Sequence, residues 1–169
     1  TVTITKADPT ISVTGYNVSY DAAAHTASGS ATGVLGETLT GLDLGATTHT
    51  TGGTYTDSWT YTDATGNYNN ASGSVTDIIG KIDATITVTG FSGTYDGAAH
   101  GVVSSSATGV GAVDLSSELH VDATTFTNVP GGTVNWSFDG DDNYNAASGS
   151  ATVTITKADP TISVTGYNV

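Results

Sequence analysis

Cysteine, methionine and arginine are absent from this chain of 169 residues, and lysine occurs only three times. Without cysteine there is no disulfide framework, no thiolate metal site and no cysteine nucleophile. Against the three cations stand 14 Asp and 2 Glu, a formal net charge of −13. Nucleic acid is excluded as a partner on that balance, because neutralising phosphates requires clustered Lys and Arg. No apolar run approaches the roughly 18 residues of a membrane span, so no membrane insertion is expected of this segment. With no methionine there is no initiator, which predicts a piece cut from a longer chain.

Gly, Thr, Ser, Ala, Asn and Asp dominate, and charged residues make up only 11%. That bias resembles a linker, but Val, Ile, Tyr, Phe and Trp recur in short alternating runs. Such residues suit a pleated, half-buried surface, so the reading is a β protein and not a disordered tract.

Internal repetition governs the organisation. Thr1–Val18 recurs unchanged at Thr152–Val169. Inside this long period lies a degenerate shorter one: KADPTISVTGYNVSYDAAAH at Lys6–His25 against KIDATITVTGFSGTYDGAAH at Lys81–His100. ATGV recurs at Ala31–Val34 and Ala107–Val110, and NYNNASGS at Asn67–Ser74 returns as NYNAASGS at Asn143–Ser150. The expected organisation is therefore a last strand of a preceding repeat at 1–5, one repeat at 6–80, a second at 81–156, and the first strand of a following repeat at 157–169. The three lysines, Lys6, Lys81 and Lys157, mark the boundaries.

Alternation and turn residues place strands at Thr10–Thr14 and Thr85–Thr89, after the Tyr-Asp-x-Ala-Ala-His turns, at Thr133–Phe138, and at Ser74–Ile79 and Ser150–Thr156. Val134, Trp136 and Phe138 share a face, as do Tyr55, Trp59 and Tyr61. Asp57 falls on that same face, which predicts a bulge or an edge position. One Trp per repeat, Trp59 and Trp136, is expected to plug each core. Short strands with regular turns predict an all-β fold of small antiparallel β-sandwiches.

The pattern K-x-D-x-T-I-x-V-T-G-Y/F, then Y-D-G-A-A-H-G, G-G-T and D-D-N-Y-N-A-A-S-G-S-A-T-V-T-I-T-K resembles the bacterial Ig-like MBG/YDG-type repeats. The resemblance covers nearly the whole chain, and 81–156 is the closer match. The first repeat departs from it with Asp-Ala-Ala-Ala-His at Asp21–His25 and with Asp77 in its last strand. It implies tandem immunoglobulin-like antiparallel β-sandwich modules of large secreted or surface proteins, with a stalk, adhesin or matrix role and no catalytic residues.

Candidate sites are few. A Lys–Asn isopeptide crosslink would need a buried Lys beside Asn and a carboxylate, whereas these lysines fall between strands and read as solvated hinge cations. Asp139, Asp141 and Asp142 crowd one turn and form a calcium candidate, since hard oxygen ligands alternating along a loop suit that ion. The turn lacks the distal bidentate Glu of a full calcium loop, and an acidic hairpin tip is the plainer reading. His25 and His100 are repeat-equivalent, while His49 and His120 lie in the variable middle segments, and no spacing signals a convergent metal or catalytic set. Tyr68 and Tyr144 read as corner residues whose hydroxyls cap a turn. The leading expectation is a non-catalytic spacer of a bacterial cell-surface or extracellular protein, its partners being neighbouring repeats of the same chain. The alternatives are a filament in which identical chains pair strands, and a glycan- or protein-binding module using Glu37–Thr51 and Val113–Thr127.

Overall fold

The structure is a computed structural model that describes residues 1–167, and it is all-β. The strands in chain order are β1 (Thr10–Thr14), β2 (Asn17–Ser19), β3 (Ser28–Thr32), β4 (Thr38–Leu39), β5 (Leu42–Asp43), β6 (Gly53–Tyr61) and β7 (Ala71–Gly80) in the first repeat. The second repeat has β8 (Thr85–Gly90), β9 (Ser92–Thr94), β10 (Val102–Thr108), β11 (Leu119–Val121), β12 (Gly131–Phe138) and β13 (Ala147–Thr156). Among the described residues helical turns are confined to three-residue 3-10 pieces, such as Gly45–Thr47. Among the described residues no helix is long and apolar enough to cross a membrane.

The chain divides into two compact units, one of residues 1–83 with 141–145 and one of residues 84–140 with 146–169. In the first unit a three-stranded sheet has the order β1-β3-β4 and a four-stranded sheet the order β2-β7-β6-β5. In the second, β10 pairs with β8, and a four-stranded sheet runs β11-β12-β13-β9. The long antiparallel hairpins carry these sheets: Gly53–Tyr61 pairs with Ile79–Ala71 without interruption, and Gly131–Phe138 with Thr154–Ala147. β2 and β9 join the outer edges of β7 and β13 in parallel.

Alternation decides which residues enter the core. On β6, Thr54, Thr56, Ser58 and Thr60 are exposed, while Tyr55, Asp57, Trp59 and Tyr61 face inward. On β13, Ala151, Val153 and Ile155 are buried between exposed Thr152 and Thr154. In the first repeat Ala31 and Tyr61 meet Tyr68, with Ile11, Leu39, Leu42 and Ala71 packed around them, so both sheets feed one cluster. In the second, Val134, Val153 and Ile155 pack with Phe91, Val102, Val121 and Phe126. Burying a Phe or Tyr side chain of this kind contributes about 1.5–3 kcal/mol each.

Two expectations need correction, and a third is narrowed. The tryptophans do not plug the cores: Trp59 and Trp136 are half-buried, and the buried aromatics stand two residues later, at Tyr61 (1% exposed) and Phe138 (2%). Each indole lies over a cross-strand glycine, Gly73 or Gly149, where a Cβ would fall 2.5 Å from the ring. Asp57 brings no bulge, because β6 keeps an unbroken register with β7 through it. β5 pairs the other side of β6 only at Thr60 and Tyr61, so among the described residues Asp57 does stand at an edge position. The register shift lies elsewhere, between Val102 and Ser104, where the second repeat carries an extra residue on β10. Lastly, Thr1–Thr5 and the described part of 157–169 form no strand. Val2 and Ile4 are 91% and 92% exposed, whereas their sequence twins Val153 and Ile155 are each 1% exposed. A strand requires a partner ladder, and within this chain the twins already occupy it. Asn168 and Val169, at the end of the expected following strand, lie outside the described residues.

The Thr-Gly step that ends β1 and lies at the end of β8 reflects close approach of two backbones. A Cβ on Gly15 would fall 2.0 Å from the Thr76 carbonyl oxygen, and one on Gly90 2.1 Å from that of Thr152. Backbone oxygens in a sheet cannot move aside, so G15A or G90A should each cost about 1–3 kcal/mol. Urea denaturation of the full chain measures this, and wild-type stability in both variants would refute the steric account.

Candidate functional site

Many of the acidic side chains of this protein stand in turns and accept a backbone N–H there. Among the described residues an Asp carboxylate accepts the backbone N–H two residues on in these six places: Asp21 from Ala23, Asp43 from Gly45, Asp63 from Thr65, Asp96 from Ala98, Asp114 from Ser116 and Asp141 from Asn143. This is the Asx-turn, in which a short carboxylate substitutes for a backbone acceptor.

The Tyr-Asp-x-Ala-Ala-His motif is one such turn with a second lock. His25 Nε2 donates to Asp21 Oδ1 at 2.9 Å, and His100 Nε2 donates to Asp96 Oδ1 at 2.9 Å. The Ala23 N–H first, and then the His25 ring, hold the Asp21 carboxyl below its ordinary value. For Asp96 the His100 ring comes first and the Ala98 N–H second. An Asp four residues before a His in both repeats was the sequence signal for this lock. His120 donates to Asp139 at 3.0 Å, so each His of the chain meets an Asp.

The boundary motifs find each other. Ala7 forms a parallel bridge with Tyr68, and Ile82 with Tyr144. The Asn69 side-chain amide donates to Asp8 at 2.7 Å, and that of Asn145 to Asp83 at 2.8 Å. The K-x-D segment of each repeat is thereby clasped to its own Asn-Tyr-Asn loop. Lys81 is exposed and its ammonium donates to the Asp141 carbonyl; Lys6 and Lys157 are exposed as well, so none of the three has the burial that an isopeptide bond needs. The Tyr68 hydroxyl accepts the Val34 N–H at 3.2 Å and donates to Glu37, which fits the corner role expected of it. Its hydrogen bond holds the Glu37 carboxyl below its ordinary value and pushes the Tyr68 phenol up.

The calcium candidates Asp139 and Asp141 take different partners. Asp139 faces His120, and Asp141 closes its own turn on the Asn143 and Tyr144 N–H groups at 2.7 and 2.8 Å. Asp142 is exposed beside them. Among the described residues no group of three or more His, Asp or Glu is placed to hold a metal ion. The variable middle segments hold β4, β5 and a 3-10 turn in one repeat, and β11 with a 3-10 turn at Ser116–Glu118 in the other.

The least expected polar group lies inside the first repeat. At the positions where the second repeat packs Phe126, Val134 and Val153, the first has His49, Asp57 and Asp77. His49 donates to Asp57 at 2.7 Å and stacks on Tyr55 with ring centroids 3.6 Å apart. This pair is what lets a carboxylate occupy an inward position of β6. Asp77 is fully buried; its Oδ1 accepts the Tyr16 N–H at 3.0 Å, and its Oδ2 has no hydrogen-bond partner among the described residues. Burial first, and then the Asp77 and Asp57 carboxylates, push the Tyr16 phenol up. The second repeat explains Asp77: there Phe91, which stands where Tyr16 does, donates its N–H to the Gly101 carbonyl at 3.0 Å. The longer His100–Ala107 segment supplies that carbonyl. In the shorter first repeat a side chain must supply the acceptor.

No protein-family model and no curated protein sequence matches the chain.

Two predictions follow from these contacts. D77N retains an oxygen acceptor for Tyr16 and should leave the melting temperature unchanged or higher. D77V, which copies the second repeat, orphans that N–H and should cost about 1–3 kcal/mol. Equal melting curves for D77N and D77V would remove Asp77 from this role. The second concerns acid. Partial burial alone would raise the Asp63 carboxyl, but the N–H groups of Tyr68 and Thr65 and the Thr65 hydroxyl outweigh it and lower it to about 2 from 3.8. Asp21, Asp96, Asp114 and Glu37 are also lowered in the fold. Folded-state pKa values below the unfolded ones stabilise the fold above the unfolded values and lose that contribution as pH falls through the folded ones. Thermal stability should therefore hold down to about pH 5 and decline between about pH 4 and pH 2. A melting temperature that is flat to pH 2 would contradict this.

Proposed function

We infer that this chain is a non-catalytic spacer: tandem β-sandwich modules of immunoglobulin-like type that form part of a stalk or matrix in a bacterial surface or extracellular protein. The observation that carries the reading is the use made of the recurring motifs. The Tyr-Asp-x-Ala-Ala-His, K-x-D and Asn-Tyr-Asn residues close turns and clasp strand ends, so what repeats is the means of building one more unit. The immunoglobulin-like type is supported by the path of the N-terminal segment, which gives β1 to one sheet and β2 to the other, and by the parallel pairing of β2 with the last strand. The resemblance to MBG/YDG-type repeats points the same way. An absence of cysteine suits export, since no thiol has to be oxidised or protected on the way.

A second reading has one observation in its favour. Val2, Ile4, Ile162 and Val164 are 79–92% exposed, and they stand in segments identical to seated ones. Such segments are able to pair with a sheet edge of another copy.

Chains of one, two and three 151-residue blocks distinguish these. For a spacer the maximum dimension from small-angle scattering rises by a constant increment per block, and sedimentation gives a monomer at every concentration. A three-block chain no longer than one block would overturn the spacer reading, and association that grows with concentration would favour strand pairing between chains.

A further inference from the structure

We propose that each repeat is a shear clamp that carries tension along the chain, which rests on the tandem spacer reading and adds a mechanical task to it. In the first repeat the N-terminal segment follows the C-terminal one in parallel. Ala7 bridges Tyr68, Asn17 to Ser19 pair with Ile78 to Gly80, and the Asp8–Asn69 and Tyr16–Asp77 contacts share a single sequence separation of 61 residues. In the second repeat Ile82 bridges Tyr144, Ser92 to Thr94 pair with Thr154 to Thr156, and Asp83–Asn145 and Thr94–Thr156 are separated by 62.

Direction then settles how force acts. In an array, tension pulls the first segment of a repeat toward its N-terminus and the last segment toward its C-terminus. Because the two run parallel, these pulls oppose each other along the strand axis. Every bond between them is loaded at once, and none can be peeled before the others. The bonds are Ala7 N–H to Asn67, Asn69 N–H to Ala7, Ile78 N–H to Tyr16 and Tyr20 N–H to Gly80, at 2.8–2.9 Å. Their counterparts are Ile82 to Asn143, Asn145 to Ile82, Thr154 to Phe91 and Tyr95 to Thr156, at 2.8–3.0 Å. Between the two contacts β1 crosses to β3, and Ala7 and Ile11 pack on the Tyr61–Tyr68 cluster. Removing the N-terminal segment thus strips core from both sheets. Strand β6 lies inside the loop so closed and is shielded from the load, whereas β7 is the loaded partner of β2. Resistance to forced unfolding is a matter of unfolding rate, to which such contacts contribute when they must break before anything else does.

The absence of cysteine allows pulling points to be chosen freely, by single-molecule force spectroscopy on the full chain. K6C with K81C pulls the parallel pair at opposite ends, in shear. A23C with K81C pulls it at adjacent ends, so that the ladder opens bond by bond. At equal loading rate the first geometry should rupture at no less than about twice the force of the second. In the shear geometry N69A, which frees Asp8, should raise the rupture rate at constant force about two- to tenfold while circular dichroism stays native. Equal or lower force in the shear geometry overturns the clamp. So does an N69A rate unchanged from wild type. Either result leaves the spacer reading standing, since that reading is decided by the scattering of the block series.

Discussion

The antiparallel pairing of two long strands in each repeat is the constraint on which everything else hangs. β6 and β7 in one repeat, and β12 and β13 in the other, run in register over their full shared length. That register decides which face of each strand turns inward, because a slip of one residue would exchange the two faces completely. It places Tyr61, Ile79, Phe138 and Val153 inside and a ladder of Thr and Ser outside. The flanking strands are short and rely on this platform. β2 and β9 each span three residues, yet they are held because a preformed edge awaits them.

Period-2 alternation made the long strands legible in the sequence. TISVT reads as a strand and is one at Thr10–Thr14, and Thr133–Phe138 is found within β12. What the alternation could not show is how deep a position sits. Trp59 and Trp136 stand on the inward face but near its end, over Gly73 and Gly149, and only Tyr61 and Phe138 reach full burial. Long-range pairing was equally hidden. K-x-D and Asn-Tyr-Asn were both recognisable as repeated motifs, but nothing local to either says that they clasp each other across 61 residues. The Asp21–His25 lock was within reach, being a local four-residue spacing found twice.

The two repeats put different chemistry on one backbone plan. Where one has Phe126, Val134 and Val153, the other has His49, Asp57 and Asp77, and the register of the central hairpin is unaltered. A buried carboxylate is tolerated only where it takes up a hydrogen bond that would otherwise be lost. Asp57 has the His49 ring and Asp77 has the Tyr16 N–H. The substitution at Asp77 and the shorter segment after His25 are therefore one change. Losing the carbonyl that Gly101 supplies in the second repeat requires an acceptor from across the sheet.

The acidity of the chain has the same origin. A charge of −13 suggests a surface selected for repulsion. The contacts give it a local cause: among the described residues six Asp each close a turn on the N–H two residues on. Others hold an Asn amide at the boundary clasps or a His ring. Strand exteriors, by contrast, carry hydroxyls, which favour extended backbone and cross-strand contact without adding charge. Apart from Asp57 and Asp77 on the central hairpin of the first repeat, charge thus gathers at the turns and hydroxyls on the strands. Repeating the unit repeats the turns, so negative charge accumulates in proportion to length. On the spacer reading proposed above, that charge would repel neighbouring chains over roughly 8 Å at physiological salt.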